Sequence, residues 1–241
     1  MTTLGIIQAR MGSSRLPSKV LKKLGRRTVL ERVVRAAQQS GVLDQLVVAT
    51  TVESEDDAIV AECAAIGVDC HRGSVDDVLD RFLGVLDRFD SDVVLRFTAD
   101  SPMLDPQVVA RAHRVFMAAG VDYLTTSITR TLPLGLDVEL VRTPVLRELD
   151  KLATDHHRTH VTSYIYTHPD DFDVAGLTLQ PDLSHLRLTL DTEDDWRLIE
   201  AIVDHFGDEP VAVRELTTFV TSRPDLMELN AHVLQKALVE A

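Results

Sequence analysis

The stretch IIQARMGSSRLPSKV, residues 6–20, joins an apolar, strand-like run to a loop of small and cationic residues. In an open parallel sheet, ligands bind beyond the carboxyl ends of the strands, and this loop follows such an end. Small residues let backbone N–H groups approach an anion closely, while arginine and lysine add positive charge. The loop therefore predicts an anion site, with a solvated basic turn as the alternative. Its small and cationic members are Arg10, Gly12, Ser13, Ser14, Arg15 and Lys19.

The first half of the chain repeats the order strand, then helix. Apolar runs at LVVATT (46–51), VDCH (68–71) and DVVLRFTAD (92–100) alternate with amphipathic runs of helical period. Polar residues suited to helix N-caps precede the helical runs, and the expected caps are Thr28, Ser54, Ser74 and Asp105. Such alternation predicts an α/β fold with a mostly parallel sheet flanked by helices.

The second half of the chain is less regular. Strands are predicted at VDYLTTS, LGLDVELV, FDVAGLTL and LRLTLD. One helix is predicted at HHRTHVTSYIY (156–166), and another, capped by Thr192, at TEDDWRLIEAIVDHF (192–206). We expect a single domain over residues 1–241, with an insertion at about 125–181 that carries a subsidiary β-hairpin and a helix.

Composition limits the classes of function. The chain has 241 residues, 45% of them hydrophobic, and a formal net charge of -13, so general binding of nucleic acid is disfavoured. The two cysteines form no CxxC pair, no run of about 18 apolar residues occurs, and the start lacks the pattern of a signal peptide. The nucleotide-binding patterns GxxxxGK[ST] and GxGxxG are both absent. We expect a soluble cytoplasmic protein that does not bind a membrane.

Two aspartates end strand-like runs, Asp100 in FTADSP and Asp191 in LRLTLD. Carboxylates that converge from separate strand ends can hold Mg²⁺, a hard cation that prefers oxygen ligands. The alternatives are a turn aspartate for Asp100 and helix capping for Asp191, and the spacing alone leaves them open. Glu193 and Asp195 are interpreted as first-turn acids that are favourable to the helix dipole, with a contact to the metal or to its ligands as the alternative.

Six segments, in order from Ile6 to Trp196, resemble one family of enzymes. They are IIQARMGSSRLPSKVL, RGSVDDVLDRF, VLRFTADSPMLDP, LPLGLDVELV, HVTSYIYTHP and LRLTLDTEDDW. The family is that of the cytidylyltransferases similar to spore-coat polysaccharide biosynthesis protein F, which are relatives of the acylneuraminate and 3-deoxy-manno-octulosonate cytidylyltransferases. The resemblance implies a Rossmann-like nucleotidyltransferase fold similar to that of GT-A glycosyltransferases. It also implies Mg²⁺-dependent transfer of CMP from CTP to a small acceptor (a sugar, a sugar acid or a phosphonate) with release of pyrophosphate.

The resemblance also implies roles for individual residues. Arg15, Lys19 and Asp100 are the expected catalytic residues, and Asp100 and Asp191 the expected metal ligands. The nucleotide is expected to contact Arg10, Gly12, Ser13, Ser14, Arg72 and Asp77. The acceptor is expected to contact Asp137, Glu139 and His160. The structural alternatives are a helix start for residues 72–77, one face of a hairpin for Asp137 and Glu139, and a polar helix face for the histidine.

Two other functions are compatible with the same fold. A GT-A-type glycosyltransferase uses a nucleotide sugar, but the DxD triad typical of that class is replaced by ADSP (99–102). A nucleotide-binding scaffold without turnover is the other alternative. The chain departs from the family at Ser18, where relatives usually have glycine, and at Leu134 and Thr159, so the acceptor is not predicted. Because resembling enzymes commonly dimerise through an arm, we expect a homodimer with His160 or Tyr164 near the contact.

Overall fold

The computed structural model describes residues 1–235 of the chain. Seven strands form its main sheet: β1 (Thr3–Gln8), β4 (Gln45–Thr51), β5 (Asp69–Gly73), β6 (Val93–Thr98), β7 (Tyr123–Thr125), β8 (Glu139–Arg142) and β9 (Val174–Gly176). Two further strands, β2 (Lys23–Leu24) and β3 (Arg27–Thr28), form a small antiparallel ribbon. The order of strands in the main sheet is β5-β4-β1-β6-β8-β7-β9.

The sheet is mixed, and most of its pairings are parallel. β1 pairs in parallel with β4 and β6, β4 pairs in parallel with β5, and β7 pairs in parallel with β9. β8 lies between β6 and β7 and runs antiparallel to both. The predicted α/β class, a mostly parallel sheet flanked by helices, is therefore confirmed.

Helices cover both faces of this sheet. They are α1 (Val29–Gln39), α2 (Asp57–Ile66), α3 (Val78–Leu86), α4 (Pro106–Ala119), α5 (Thr143–Leu152), α6 (His156–Thr159), α7 (Ser163–Thr167), α8 (Glu193–Phe206), α9 (Val213–Thr221) and α10 (Pro224–Met227). One apolar core lies between the sheet and α1, α2, α4, α8 and α9, and a second lies between the sheet and α3, α5 and α7. Among the helices of residues 1–235, none combines the length and apolar character of a membrane span.

The central strand β1 shows why the sheet is covered on both faces. Successive side chains of a strand point to opposite faces, so Ile6 enters one core and Ile7 enters the other. Both side chains are completely buried, and each such burial contributes roughly 1.5–3 kcal/mol to stability. A strand with this pattern belongs in the middle of the sheet, and its carboxyl end delivers the loop of residues 9–18 to the edge shared with β4 and β6.

The predicted helix caps are correct at three positions and wrong at two. Thr28, Asp105 and Thr192 each accept a hydrogen bond from a first-turn backbone N–H, and Thr192 forms a complete capping box. Ser54 instead begins a short 3₁₀ turn, and α2 starts only at Asp57. Ser74 accepts a hydrogen bond from the N–H of Asp77, and Asp77 is the residue that caps α3. In both cases, the serine predicted to cap the helix lies instead in a turn that precedes the helix.

The predicted insertion at 125–181 contributes strands to the main sheet. β8 pairs antiparallel with β7, the strand before it in the chain, and β9 pairs with β7 in parallel. The run 156–166 forms two short helices, α6 and α7, because Val161 between them adopts φ 45°. The run LRLTLD, predicted as a strand, is an extended segment with one isolated bridge, from Leu134 to Arg187. The single-domain assignment itself stays a prediction.

Candidate active site

Residues 9–18 form a loop that is tied at both ends. Ala9 donates its N–H to the carbonyl of Ala49, and Met11 donates its N–H to Asp56 Oδ1 at 2.7 Å. Ser18 donates to the carbonyl of Met11 and adopts φ 56°, a left-handed conformation that suits the glycine usual in the resembling family. A 3₁₀ turn, Lys19–Leu21, follows and directs Lys19 into the protein. The loop is thus a closed turn beside the carboxyl ends of β1 and β4.

Asp56 anchors this loop, and no role was predicted for it. Its side chain is buried and accepts hydrogen bonds from Thr50 Oγ1, from the N–H and Oγ1 of Thr51 and from Met11. Burial alone raises the pKa of Asp56, but the hydrogen bonds from Thr51 and Met11 outweigh it and lower the pKa. The acidic run SEDD (54–57) was the available signal, and nothing in it distinguishes the buried aspartate from its exposed neighbours.

Lys19 is the centre of the candidate site. Its ammonium donates hydrogen bonds to Asp100 Oδ2 at 2.9 Å, to Asp191 Oδ1 at 2.8 Å and to the carbonyl of Leu190 at 2.7 Å. Burial lowers the pKa of Lys19, but the carboxylates of Asp100 and Asp191 outweigh it, so the pKa is raised above its ordinary value. The lysine is therefore fully charged at neutral pH. It joins Asp100 and Asp191, which were predicted to meet at the carboxyl ends of the strands.

A backbone hydrogen bond explains why Asp100 and Asp191 meet. Leu190 donates its N–H to the carbonyl of Asp100 at 2.9 Å, and Thr189 Oγ1 donates to the same carbonyl at 3.3 Å. The end of β6 and the extended segment before α8 are thereby fastened side by side. Because these two segments are held together, the ammonium of Lys19 can donate hydrogen bonds to both Asp100 and Asp191, which are 91 positions apart in the sequence.

Gly135 allows a second segment to cross this one closely. Leu188 donates its N–H to the carbonyl of Leu134 at 2.7 Å, and Leu134 donates its N–H to the carbonyl of Leu186 at 3.0 Å. Gly135 adopts φ 99°, and a β-carbon there would lie only 2.4 Å from the backbone nitrogen of Thr189. The LPLGLD run thus lies against the segment that carries Asp191, and only glycine leaves enough space for it.

Arg187 and Asp195 hold Asp191 from the other side. Such a contact was the alternative interpretation of Asp195, whereas no role was predicted for Arg187. Arg187 donates to Asp191 Oδ2 at 2.7 Å and to both carboxylate oxygens of Asp195, at 2.8 and 3.1 Å. Asp195 is completely buried and also accepts from Asn230 Nδ2 at 2.8 Å. Its pKa is lowered, because hydrogen bonds from Arg187 and Asn230 outweigh the effect of burial. An arginine inside an apolar run was the only signal for this network.

The other predicted members of the phosphate loop lie on its outer surface. Arg10, Gly12 and Ser14 are exposed, whereas Ser13 and Arg15 are partly buried. Arg15 reaches Asp191 Oδ2 at 3.2 Å, so it joins the charged cluster around Lys19. Burial raises the pKa of Asp191, but the charges of Lys19 and Arg15 outweigh it and bring the pKa below its ordinary value. The loop therefore combines exposed small residues with cations at its base.

Arg72 and Asp77, expected at the base and ribose, already have partners in the protein. Arg72 donates to the carbonyls of Thr51 and Glu53, both at 2.9 Å, and pairs with a carboxylate of α2. Asp77 caps α3 and accepts a hydrogen bond from Arg158. Both residues border the carboxyl end of β5, but they are engaged in structural contacts, and their nucleotide roles stay predictions.

The predicted acceptor residues divide between two places. Asp137 precedes β8 and pairs with Arg130 at 2.6 Å. Burial raises the pKa of Asp137 in spite of that pairing. Glu139, the first residue of β8, accepts hydrogen bonds from Arg96, from Tyr123 at 2.9 Å and from Thr162.

His160 directly follows α6, and Thr162, two residues later, donates a hydrogen bond to Glu139. The structure therefore links Glu139 with the segment of His160 through a buried threonine. Their roles in acceptor binding stay predictions.

The oxygen atoms around the Lys19 ammonium suit a divalent cation. Two carboxylates and a backbone carbonyl are the ligands preferred by a hard cation, and Mg²⁺ is commonly bound by one or two carboxylates together with substrate phosphates. No cluster of three or more metal-ligating side chains occurs within residues 1–235. Asp100 and Asp191 are therefore the protein ligands that fit Mg²⁺ here, and phosphate oxygens and water are the ligands that would complete its shell.

Comparison with known proteins points to one family. The family model described as cytidylyltransferase matches residues 4–228. The uncharacterised protein MJ1063 of Methanocaldococcus jannaschii is 37% identical to this chain, and the match covers 100% of this chain and 99% of MJ1063. The spore coat polysaccharide biosynthesis protein SpsF of Bacillus subtilis is 36% identical, and the match covers 92% of this chain and 95% of SpsF. A solved cytidylyltransferase of Leptospira borgpetersenii superposes with a TM-score of 0.91 at 26% identity and covers 98% of this chain and 99% of its own. These similarities confirm the resemblance noted in the sequence.

Proposed function

The chain belongs to the cytidylyltransferase family, and from that premise we propose that it transfers CMP from CTP to a small acceptor, releases pyrophosphate and uses Mg²⁺. The family makes it a nucleotidyltransferase, whereas the metal, the acceptor and the leaving group belong to the proposal. The observation that carries the proposal is the Lys19 ammonium between Asp100 and Asp191, at the end of a loop of small and cationic residues.

The loop is suited to bind a triphosphate. The side chains of Arg10 and Ser14 are exposed and Ser13 is partly so, while Arg15 and Lys19 place positive charge at its base. In nucleotidyl transfer, a protein contributes chiefly by positioning the reactants and by neutralising charge. An acceptor oxygen attacks the α-phosphorus of CTP, the bond to the β-phosphate oxygen breaks, and the negative charge that develops on pyrophosphate lies beside these cations.

Asp100 and Asp191 are the residues proposed to hold Mg²⁺. When bound, the cation neutralises phosphate oxygens and orients them. Arg187 and Asp195 fix the position of Asp191, because the guanidinium spans both carboxylates and is itself largely buried. The site thus keeps one ligand rigid through a buried network and leaves Asp100 nearer the solvent.

For the acceptor, we propose a sugar, a sugar acid or a phosphonate bound near the segment of residues 137–164. Glu139 already accepts from three side chains, so it would reach an acceptor hydroxyl by exchanging one of those donors. Arg96, Tyr123 and Thr162 then set its position. Asp137 and His160 are the other candidates, and the relation to SpsF, which is named for polysaccharide biosynthesis, supports a carbohydrate acceptor.

A screen of acceptors tests this function. The purified protein is incubated with α-labelled CTP, Mg²⁺ and a panel of sugars, sugar acids and phosphonates, and both pyrophosphate and labelled product are measured. The proposal expects equimolar pyrophosphate and CMP-linked product with at least one acceptor, and loss of both in Asp100→Asn. Release of a nucleoside diphosphate from a nucleotide sugar would instead identify a glycosyltransferase. Tight CTP binding without turnover on any acceptor would identify a scaffold.

A further inference from the structure

The Lys19 ammonium occupies the position of a cation in the candidate site. Asp100, Asp191 and the carbonyl of Leu190 direct oxygen atoms at one nitrogen from 2.9, 2.8 and 2.7 Å. These are the ligands that a divalent cation requires, and the lysine already neutralises them. A cation that takes the position of the ammonium among these oxygen atoms must displace it.

The charges of this cluster balance without a metal. Lys19, Arg15 and Arg187 supply three positive charges, and Asp100, Asp191 and Asp195 supply three negative charges. Lys19 is only 8% exposed and Asp195 is completely buried, so the cluster is poorly hydrated. Adding a divalent cation alone would place two uncompensated charges there, which is costly in a low-dielectric site.

A triphosphate removes that obstacle. It brings several negative charges with the cation and offers phosphate oxygens to the displaced ammonium. Lys19 can reach such oxygens because it follows the phosphate-binding loop directly, and its side chain rotates about four single bonds. The free energy lost by breaking its ion pairs with the aspartates is then offset by ion pairs with phosphate.

We propose that Lys19 is a displaceable counter-ion. Its ammonium neutralises Asp100 and Asp191 while the nucleotide is absent, and it moves to the phosphates when a divalent cation enters together with CTP. The identity of the nucleotide rests on the proposed function, whereas the competition between Lys19 and the cation does not. A free divalent cation therefore binds weakly to the empty site, and cation and nucleotide bind with positive coupling.

Binding of Mn²⁺ without nucleotide tests the competition directly. Free Mn²⁺ is measured by electron paramagnetic resonance in titrations of the wild type, of Lys19→Met and of Lys22→Met. Lys22 is the matched control, because it carries the same charge three residues away and lies over the ring of Trp196, 4.2 Å from its centroid. We expect Lys19→Met to bind one Mn²⁺ at least about tenfold more tightly than the wild type, and Lys22→Met to resemble the wild type.

The added variant Asp100→Asn locates the bound ion. In the Lys19→Met background it should abolish the gain, and a gain that survives it would place the ion elsewhere and overturn the proposal. Equal affinity of wild type and Lys19→Met would also overturn it. If Lys19→Met does not fold, the wild type decides: without nucleotide it should bind Mn²⁺ no more tightly than Asp100→Asn does, and a wild-type advantage would refute the displacement.

The acceptor screen separates this proposal from the proposed function. Transfer of CMP together with equal Mn²⁺ affinities would leave the enzyme a cytidylyltransferase and remove the counter-ion role of Lys19. A gain of Mn²⁺ binding in Lys19→Met, with no transfer on any acceptor, would keep that role and reject the proposed reaction.

Discussion

Replacing Gly135 by alanine should damage both stability and the active site. The residue adopts φ 99°, which is unfavourable for any residue with a β-carbon. The added methyl carbon would lie 2.4 Å from the backbone N of Thr189 and 2.6 Å from the carbonyl carbon of Leu188. Because these are backbone atoms, the collision can be relieved only by moving the segment that ends at Asp191.

The magnitude follows from two contributions. Holding alanine in this conformation costs about 1–2 kcal/mol, and overpacking a close contact costs about 1–3 kcal/mol more. The sum is about 2–5 kcal/mol. For a chain of this size, about 2–4 °C of melting temperature is lost for each kcal/mol, so a loss of about 4–20 °C is expected.

Gly120→Ala provides the control for this experiment. Gly120 also has a positive φ, 72°, but a β-carbon there would meet no heavy atom within 4 Å. Only the conformational cost of about 1–2 kcal/mol then applies, with a melting-temperature loss of about 2–8 °C. Both variants are compared by thermal unfolding in circular dichroism and by CMP transfer well below their melting temperatures. Equal losses of melting temperature, or full transfer activity in Gly135→Ala, would refute the close contact and its connection to Asp191.

Three further predictions concern the charged cluster, and a fourth concerns assembly. Arg187→Gln should lose about 3–5 kcal/mol of unfolding free energy in urea, because Asp195 is left buried without its cation. The exposed control Arg223→Gln should keep the wild-type midpoint of unfolding, and similar midpoints for the two variants would contradict the stabilising role of Arg187. Asp100→Asn and Asp191→Asn should each abolish Mg²⁺-dependent transfer while circular dichroism stays native, and wild-type rates at limiting Mg²⁺ would exclude them as ligands. The folded pKa values of Asp191 and Asp195 are lowered, so the contribution of these carboxylates to folding stability is complete above the unfolded pKa of about 4 and is lost as pH falls through the folded values. The melting temperature should therefore fall steeply below about pH 4, and less steeply in Asp195→Asn. Equal slopes of melting temperature against pH in the two proteins would argue against this role. Light scattering should give twice the 26.7 kDa chain mass if the predicted homodimer forms, and the monomer mass across the micromolar range would rule it out.

The order of strands in the sequence was enough to predict the site residues that directly follow a strand. The cations of residues 10–19 follow β1 directly, and Asp100 follows β6, so their common edge could be inferred from the order of strands. Arg187 could not be identified in this way. Its value to the site depends on Asp195 and Asn230, and neither the period of LRLTLD nor the first-turn position of Asp195 indicates that pairing.

The strand pairing within residues 125–181 could not be predicted for a related reason. Alternating apolar residues predicted the strands of β7 and β8, but alternation does not say which strand each one pairs with. β8 inserts between β6 and β7 because its residues Leu140 and Val141 enter the two cores on opposite faces, which a projecting hairpin would expose. The break between α6 and α7 likewise reflects long-range contacts, of Arg158 with Asp77 and of Thr162 with Glu139, which outweigh local helix propensity.

The ion pair between Lys19 and Asp191 also bears on the synthesis of the protein. The two residues are 172 positions apart, whereas β5, β4, β1 and β6 all lie within the first 98 residues. A ribosome that adds about 5–20 residues per second therefore needs about 9–34 s, after making Lys19, to supply its second carboxylate. During that interval the nascent chain can pair its first four strands, but the proposed metal-binding pair of Asp100 and Asp191 cannot form. On the proposed role of Asp191, translation that stops before residue 191 yields a fragment that cannot transfer CMP.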